Sequence, residues 1–218
     1  MIKTFEEISA NINIVMAGRI EAMKAITFPG DIYLFGIWSG MSTKLISNYL
    51  DKNEIGYDKM FGLDSFMGLP FEKDGVLRHP GHSPGTYSSS SLYECTPEES
   101  AKIIQEGIGN EKLKLIPGFY SSSLRKELIQ KENMEVASYV DIDVDLMIST
   151  YVLLDFMISN SLVKAGTVIY FDDWGATQEY AGGESLAWKA IVDKYQLDYE
   201  EIFSYGKRPN IQKVFIIK

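Results

Sequence analysis

Five short apolar runs in this chain each stop at a glycine or an acid, and a helical pattern lies downstream of each. They are DIYLFGIW (31–38), KMFGLD (59–64), KLKLIPG (112–118), SYVDIDVD (138–145) and AGTVIYFDDW (165–174). Runs this short and apolar read as strands buried on both faces. Helical spacing follows at 41–52, from Thr96-Pro97 onward, and at 121–131, 148–164 and 185–195. Pro97 takes the first helical position, where a missing N–H costs nothing. Strands alternating with helices predict an α/β fold with a doubly wound, mostly parallel sheet. The end of the chain breaks the alternation. Two strands, 199–205 and 211–217, flank the turn YGKRPN, so the last of the seven strands should run antiparallel. Residues 3–25 predict one amphipathic helix, opened by a Thr4–Glu7 capping box.

At 218 residues the chain is expected to form a single domain, 1–218, with its N-terminal helix inside 1–28. Residues 65–95 are rich in glycine, proline and serine and predict a lid or specificity insert. The net charge is −9 and no Lys/Arg run occurs, which excludes the basic footprint that a nucleic-acid partner needs. One cysteine, Cys95, excludes an internal disulfide and a multi-cysteine metal site. The opening MIKTFEEISANINIVMAG lacks the core of a signal peptide, and no run reaches transmembrane length. A cytoplasmic chain with no membrane partner is the expectation.

Asp141, Asp143 and Asp145 alternate with Ile142 and Val144, so in a strand all three share one face. A solvated antiparallel edge would explain that alternation by itself. Two neighbours argue otherwise: the long apolar helix pattern that follows, and the second acid pair Asp172-Asp173 at the end of the next strand. Ligands of doubly wound sheets bind at the carboxyl ends of strands, where Asp64, Asp143, Asp145, Asp172 and Asp173 all fall. Four carboxylates in one place repel unless a cation sits among them. An all-oxygen set suits Mg²⁺, Mn²⁺ or Ca²⁺ and not zinc. One of Asp172 and Asp173 can instead cap a following helix. His79 and His82 lack a third ligand and read as loop residues.

Gly36 and Gly40 lie between the first strand and its helix, and Asp64 ends the second strand. Glycine allows close approach of a ligand, and an acid at that strand end can accept both hydroxyls of a ribose. The pairing points to a nucleoside cofactor, NAD or S-adenosylmethionine, and the absent GxGxxG disfavours NAD. Trp188 is expected in the core, and Trp174 either there or beside an acceptor. Tyr87 and the serines after it either close over a cofactor or form a plain loop. Arg78, Lys207 and Arg208 read as surface cations, with contact to an acceptor phosphate as the alternative.

FGLDSFMGLP (61–70), LIPGFYSSSL (115–124), VDIDVDLMISTYVLLDFM (140–157) and GTVIYFDDW (166–174) occur in that order. Together they resemble the macrocin O-methyltransferase family of metal-dependent sugar O-methyltransferases. The resemblance implies a Rossmann-like class I methyltransferase fold, S-adenosylmethionine as methyl donor and Mg²⁺ as the metal. It implies that Asp143, Asp172 and Asp173 hold the metal and that Asp145 is the general base. It places Asp64, Gly36 and Gly40 at the cofactor, with Ser65 nearby, and leaves Asp141 as structural or behind the ligands. The expected acceptor is a small-molecule sugar: an antibiotic glycoside, a polysaccharide or a nucleotide sugar. A homo-oligomer is expected on family grounds, with the N-terminal helix as its interface. The sequence departs at Phe35, where the family carries an acid that helps hold the methionine ammonium, and its N-terminal region is short. Two other functions fit the acids: Mg²⁺-dependent phosphoryl transfer or phosphate-ester hydrolysis, and a non-catalytic nucleoside- or sugar-binding module.

Overall fold

The computed structural model describes residues 2–71, 82–174, 183–207 and 210–218. Its strands are β1 (Asp31–Phe35), β2 (Met60–Asp64), β3 (Leu113–Pro117), β4 (Ala137–Ile142), β5 (Val168–Phe171), β6 (Tyr199–Lys207) and β7 (Asn210–Ile217). They form one sheet in the order β3-β2-β1-β4-β5-β7-β6. The first five are parallel, and β7 runs antiparallel to both β5 and β6. The helices are α1 (Phe5–Ser9), α2 (Ala17–Lys24), α3 (Met41–Lys52), α4 (Ser89–Tyr93), α5 (Pro97–Ile108), α6 (Tyr120–Ser123), α7 (Lys126–Glu132), α8 (Met147–Ser159) and α9 (Gly183–Tyr195). No helix among the described residues is long and apolar enough to cross a membrane.

Strand alternation splits the core into two layers. Ile32, Leu34, Tyr139, Val168 and Tyr170 pack with Phe5, Ala22, Met23, Ile46 and Ile104 on one face. Tyr33, Phe35, Val140, Ile142, Ile169 and Phe171 pack with Leu153, Leu154, Met157, Trp188 and Ile191 on the other. Each large apolar side chain so buried stabilises the fold by roughly 1.5–3 kcal/mol. Phe35 belongs to this packing: it is fully buried, with its ring edge-on to Tyr120 at 5.6 Å. Trp188 is a core residue, as expected, stacked on Phe215. Trp174 is half-buried against Phe171 and Phe215.

Several boundaries differ from the sequence expectation, among them the helix expected over 148–164, which ends at Ser159, and the fifth strand, which spans only Val168–Phe171. The single N-terminal helix is two short ones. The capping box at Thr4 and Glu7 forms, but the Asn11 side chain bonds back to the Glu7 carbonyl. The β-branched Ile12, Ile14 and Val15 follow, and both features disfavour continuing the helix. The helix expected over 121–131 breaks at Leu124, whose ψ is 84°. The first strand stops at Phe35 instead of Trp38, because Gly36 turns with φ +87°. The fourth stops at Ile142 instead of Asp145. The insert expected as loop holds the short helix α4. Ser89 Oγ donates to the Trp38 carbonyl at 2.6 Å and Tyr93 OH to the Ser39 carbonyl at 2.8 Å, so the insert is tied to the turn after β1. Arg78, His79 and Arg208 lie outside the described residues, and Lys207 is exposed.

Candidate functional site

Register brings the acids together. Phe35 pairs with Ile142, and Ile142 with Phe171, so β1, β4 and β5 end at one level. The next residues are Gly36, Asp143 and Asp172. The ladder runs one step further into them: Asp143 N–H donates to the Phe35 carbonyl and Asp172 N–H to the Ile142 carbonyl, both at 3.0 Å. Strand order reverses between β1 and β4, the place where doubly wound sheets open a ligand crevice. Asp143, Asp172 and Asp173 each offer a carboxylate oxygen there, all within 4.8 Å of one another.

Behind them lies a residue that the sequence reading missed, Arg19 of α2. Its Nε and Nη2 donate to both oxygens of Asp141, at 3.0 and 3.2 Å. Nη2 also reaches Asp143 Oδ2 at 2.7 Å, and Nη1 reaches Asp172 Oδ1 at 3.0 Å. The guanidinium lies 4.7 Å from the Tyr170 ring centre. Asp172 Oδ1 also accepts from Gln212 Nε2 at 2.9 Å and from Tyr170 OH. The Arg19 side chain is 1 % exposed, whereas Asp143 and Asp172 keep 31 % and 26 %. The cation therefore sits at the back and the acids open to the front. Burial opposes the charge of Arg19, yet the facing acids, Asp141 foremost, raise its pKa well above the ordinary value. Burial also pushes Asp141 up, with Arg19 and Tyr139 pulling it back. It accepts Arg19 Nε, Arg19 Nη2 and Tyr139 OH (2.5 Å), and the facing guanidinium favours the ionised carboxylate. Asp141 is thus the structural counter-ion of Arg19. Within the N-terminal segment, α2 buries Gly18, Arg19, Ala22 and Met23 in this chain.

The three alternating aspartates do not continue one strand. Asp145 lies at the centre of a three-residue turn, with Leu146 N–H bonded to the Val144 carbonyl at 2.6 Å and φ at +60°. That conformation is strained for a non-glycine residue, and strain of this kind collects at functional positions. A Cβ at Gly183 would stand 1.8 Å from the Asp145 carbonyl, so glycine there lets α9 close over the turn. His82 Nε2 approaches Asp145 Oδ1 at 3.3 Å, which gives the second histidine a place at the site. Burial, then Asp143, pushes the Asp145 carboxyl up to about 7, against a hydrogen bond from Asp173. Glu184 is a second residue missed from sequence. Fully buried, it accepts Val144 N–H at 3.2 Å and Asp173 N–H at 3.0 Å, so it ties the two acid loops together.

Burial first, and neighbouring acids second, raise Asp143, Asp173 and Glu184 well above the usual carboxylate range. The solvent-exposed third of Asp143 trims its share. Each of these groups binds its proton more tightly folded than unfolded. Their contribution to stability is complete below the unfolded pKa and is lost as pH rises through the folded one. For Asp145 that window runs from the unperturbed 3.8 to about 7. In chelator, the melting temperature should fall between about pH 5 and pH 8. A flat or rising profile would show that the acids are not desolvated together.

The proposed cofactor residues surround the turn after β1. A Cβ at Gly36 would stand 1.8 Å from the Asp143 carbonyl, and one at Gly40 (φ +80°) 2.4 Å from Ile104 Cγ2. The fold itself therefore demands both glycines. Asp64 Oδ2 accepts Ile37 N–H at 2.7 Å and Trp38 N–H at 3.0 Å, while Oδ1 accepts Phe66 N–H at 2.7 Å. It clamps the turn and keeps one acceptor position on Oδ1. Ser65 Oγ is used locally, donating to the Gly68 carbonyl and accepting Met67 N–H. Tyr87 meets Trp38 edge-on at 5.7 Å, so the insert overhangs this turn.

Residues 15–189 match the family described as Macrocin-O-methyltransferase (TylF). The chain belongs to the macrocin O-methyltransferase family. Its membership makes it an O-methyltransferase. Among curated proteins, none matches the chain in sequence. The O-methyltransferase NovP shares 18 % identity over 97 % of this chain and 78 % of its own, with a TM-score of 0.64. The calicheamicin methyltransferase CalS11 shares 16 % over 97 % and 89 %, with a TM-score of 0.63. At these identities both show the fold alone: the α/β sheet with antiparallel β7 is that of a class I methyltransferase.

Proposed function

We propose that the protein transfers a methyl group from S-adenosylmethionine to a sugar hydroxyl, aided by a divalent cation, Mg²⁺ or Mn²⁺. The observation that carries this is the meeting of Asp143, Asp172 and Asp173 beside Asp145, one residue beyond the switch point of the sheet. The donor set fits a hard cation: three carboxylates, and for Asp143 and Asp172 one oxygen each that takes no donor among the described residues. Asp143, Asp172 and Asp173 would hold it, and when bound it lowers the pKa of a coordinated hydroxyl. Gly36, Gly40 and Asp64 would border the methyl donor, which when bound supplies the electrophilic carbon, and Ser65 shapes the turn beside them. Asp145 takes the hydroxyl proton onto a carboxylate oxygen. Its pKa near 7 suits a base at neutral pH. Glu184 holds the two acid loops in register for that transfer. The solved relatives fit a sugar acceptor, since one form of CalS11 is described as a TDP-rhamnose 3'-O-methyltransferase.

Calorimetry with S-adenosylhomocysteine, with and without Mg²⁺, tests the cofactor half. The wild-type protein should bind, and Asp64→Ala should lose at least about tenfold in affinity, because the turn it clamps is released. No binding by the wild type under either condition would sink the assignment and favour phosphate chemistry at the same acids.

A further inference from the structure

Arg19 fixes only one oxygen of each ligand carboxylate. On Asp143 it takes Oδ2, and on Asp172 it takes Oδ1, where Gln212 and Tyr170 also donate. The opposite oxygens, Asp143 Oδ1 and Asp172 Oδ2, take no donor among the described residues. Asp172 Oδ1, with three donors, has no lone pair left for a cation, and a cation at Asp143 Oδ2 would share that oxygen with the guanidinium and meet its positive charge, so binding through the opposite oxygen is favoured at both. Ca²⁺ takes six to eight oxygens and uses bidentate carboxylates freely, whereas Mg²⁺ takes six in a small octahedron with single oxygens and waters. We infer that Arg19 is the specificity-determining residue of the cation site: by holding Asp143 Oδ2, and by sharing Asp172 Oδ1 with Gln212 and Tyr170, it disfavours the bidentate mode and selects Mg²⁺ or Mn²⁺ over Ca²⁺. The inference rests on the proposed reading of these acids as a divalent-cation site.

Geometry separates this role from plain charge balance. Losing the guanidinium removes one positive charge near the cation. That change strengthens the binding of every divalent ion by a similar factor, so it cancels in the ratio of two affinities. Only the coordination mode moves the ratio. A scaffold role for Arg19 would likewise weaken all ions together.

The test is calorimetric titration of chelator-stripped protein with Mg²⁺, Mn²⁺ and Ca²⁺ separately. The variant is Arg19→Met combined with Asp141→Asn, which removes the buried charge pair as a unit and leaves the three ligands intact. Wild type should bind Mg²⁺ and Mn²⁺ more tightly than Ca²⁺. The folded double variant should lose about tenfold of that preference. Arg19→Lys places a single ammonium where a fork stood, so it should shift the ratio in the same direction by less. It also serves as the test if the double variant does not fold. An unchanged ratio in a folded variant, or a wild type that prefers Ca²⁺, overturns the selectivity role while the cation site stands. A wild type that binds none of the three ions overturns both.

Discussion

Asp145→Asn should lower the turnover number by about 10²–10⁴ once an acceptor is in hand, with little change in affinity for S-adenosylhomocysteine. The asparagine keeps the shape of the side chain and loses the ability to take a proton. The same change should make the metal-free protein more stable. The native fold holds this carboxyl at about 7, against 3.8 unperturbed. At about pH 8 the ionised form therefore costs the fold on the order of a few kcal/mol, which the neutral amide does not. Opposite signs in the two measurements are the signature of a strained catalytic acid. A variant that turns over at nearly the wild-type rate would remove Asp145 from the proton transfer. A variant that loses both activity and stability would make it a structural residue.

The alternation of strands and helices was legible because buried parallel strands leave short apolar runs that few other structures produce. The acids were legible because they stand where such strands end. Their geometry was less so. A period of two put Asp141, Asp143 and Asp145 on one face. The strand instead stops at Ile142, and Asp145 leaves it through a turn with positive φ. Arg19 escaped notice because it lies 122 residues from Asp141, and Glu184, though only 11 residues from Asp173, because it sits on a helix and not at a strand end. Both left a trace. Arg19, Ala22 and Met23 share the buried stripe of α2, and Glu184, Ala187, Trp188 and Ile191 that of α9. An ionisable residue on an apolar stripe needs a partner inside the fold. In a chain of net charge −9, a buried arginine will find that partner among its acids. Phe35 shows the reverse: the residue reads as a missing acid, and the structure gives it a purely apolar role against Tyr120.

Arg19→Leu should destabilise the protein by about 3–5 kcal/mol, because it strands Asp141 in the core without its counter-ion. For a chain of this size, that is a fall in melting temperature on the order of 10 °C. Two further measurements show where the loss comes from. Adding Asp141→Asn should recover most of it, since removing a buried pair as a unit is often close to neutral. Lowering the pH should shrink it as well. Burial favours the protonated form of Asp141, and with the guanidinium gone only a proton can neutralise it. The deficit therefore grows as pH rises. A loss that is equal at about pH 5.5 and pH 8, and that Asp141→Asn does not relieve, would mean that leucine simply packs badly beneath β4 and β5. If the deficit follows the charge, α2 is held to the sheet by Asp141, directly behind the acids that open to the front. Through Arg19, α2 is then the back wall of the site.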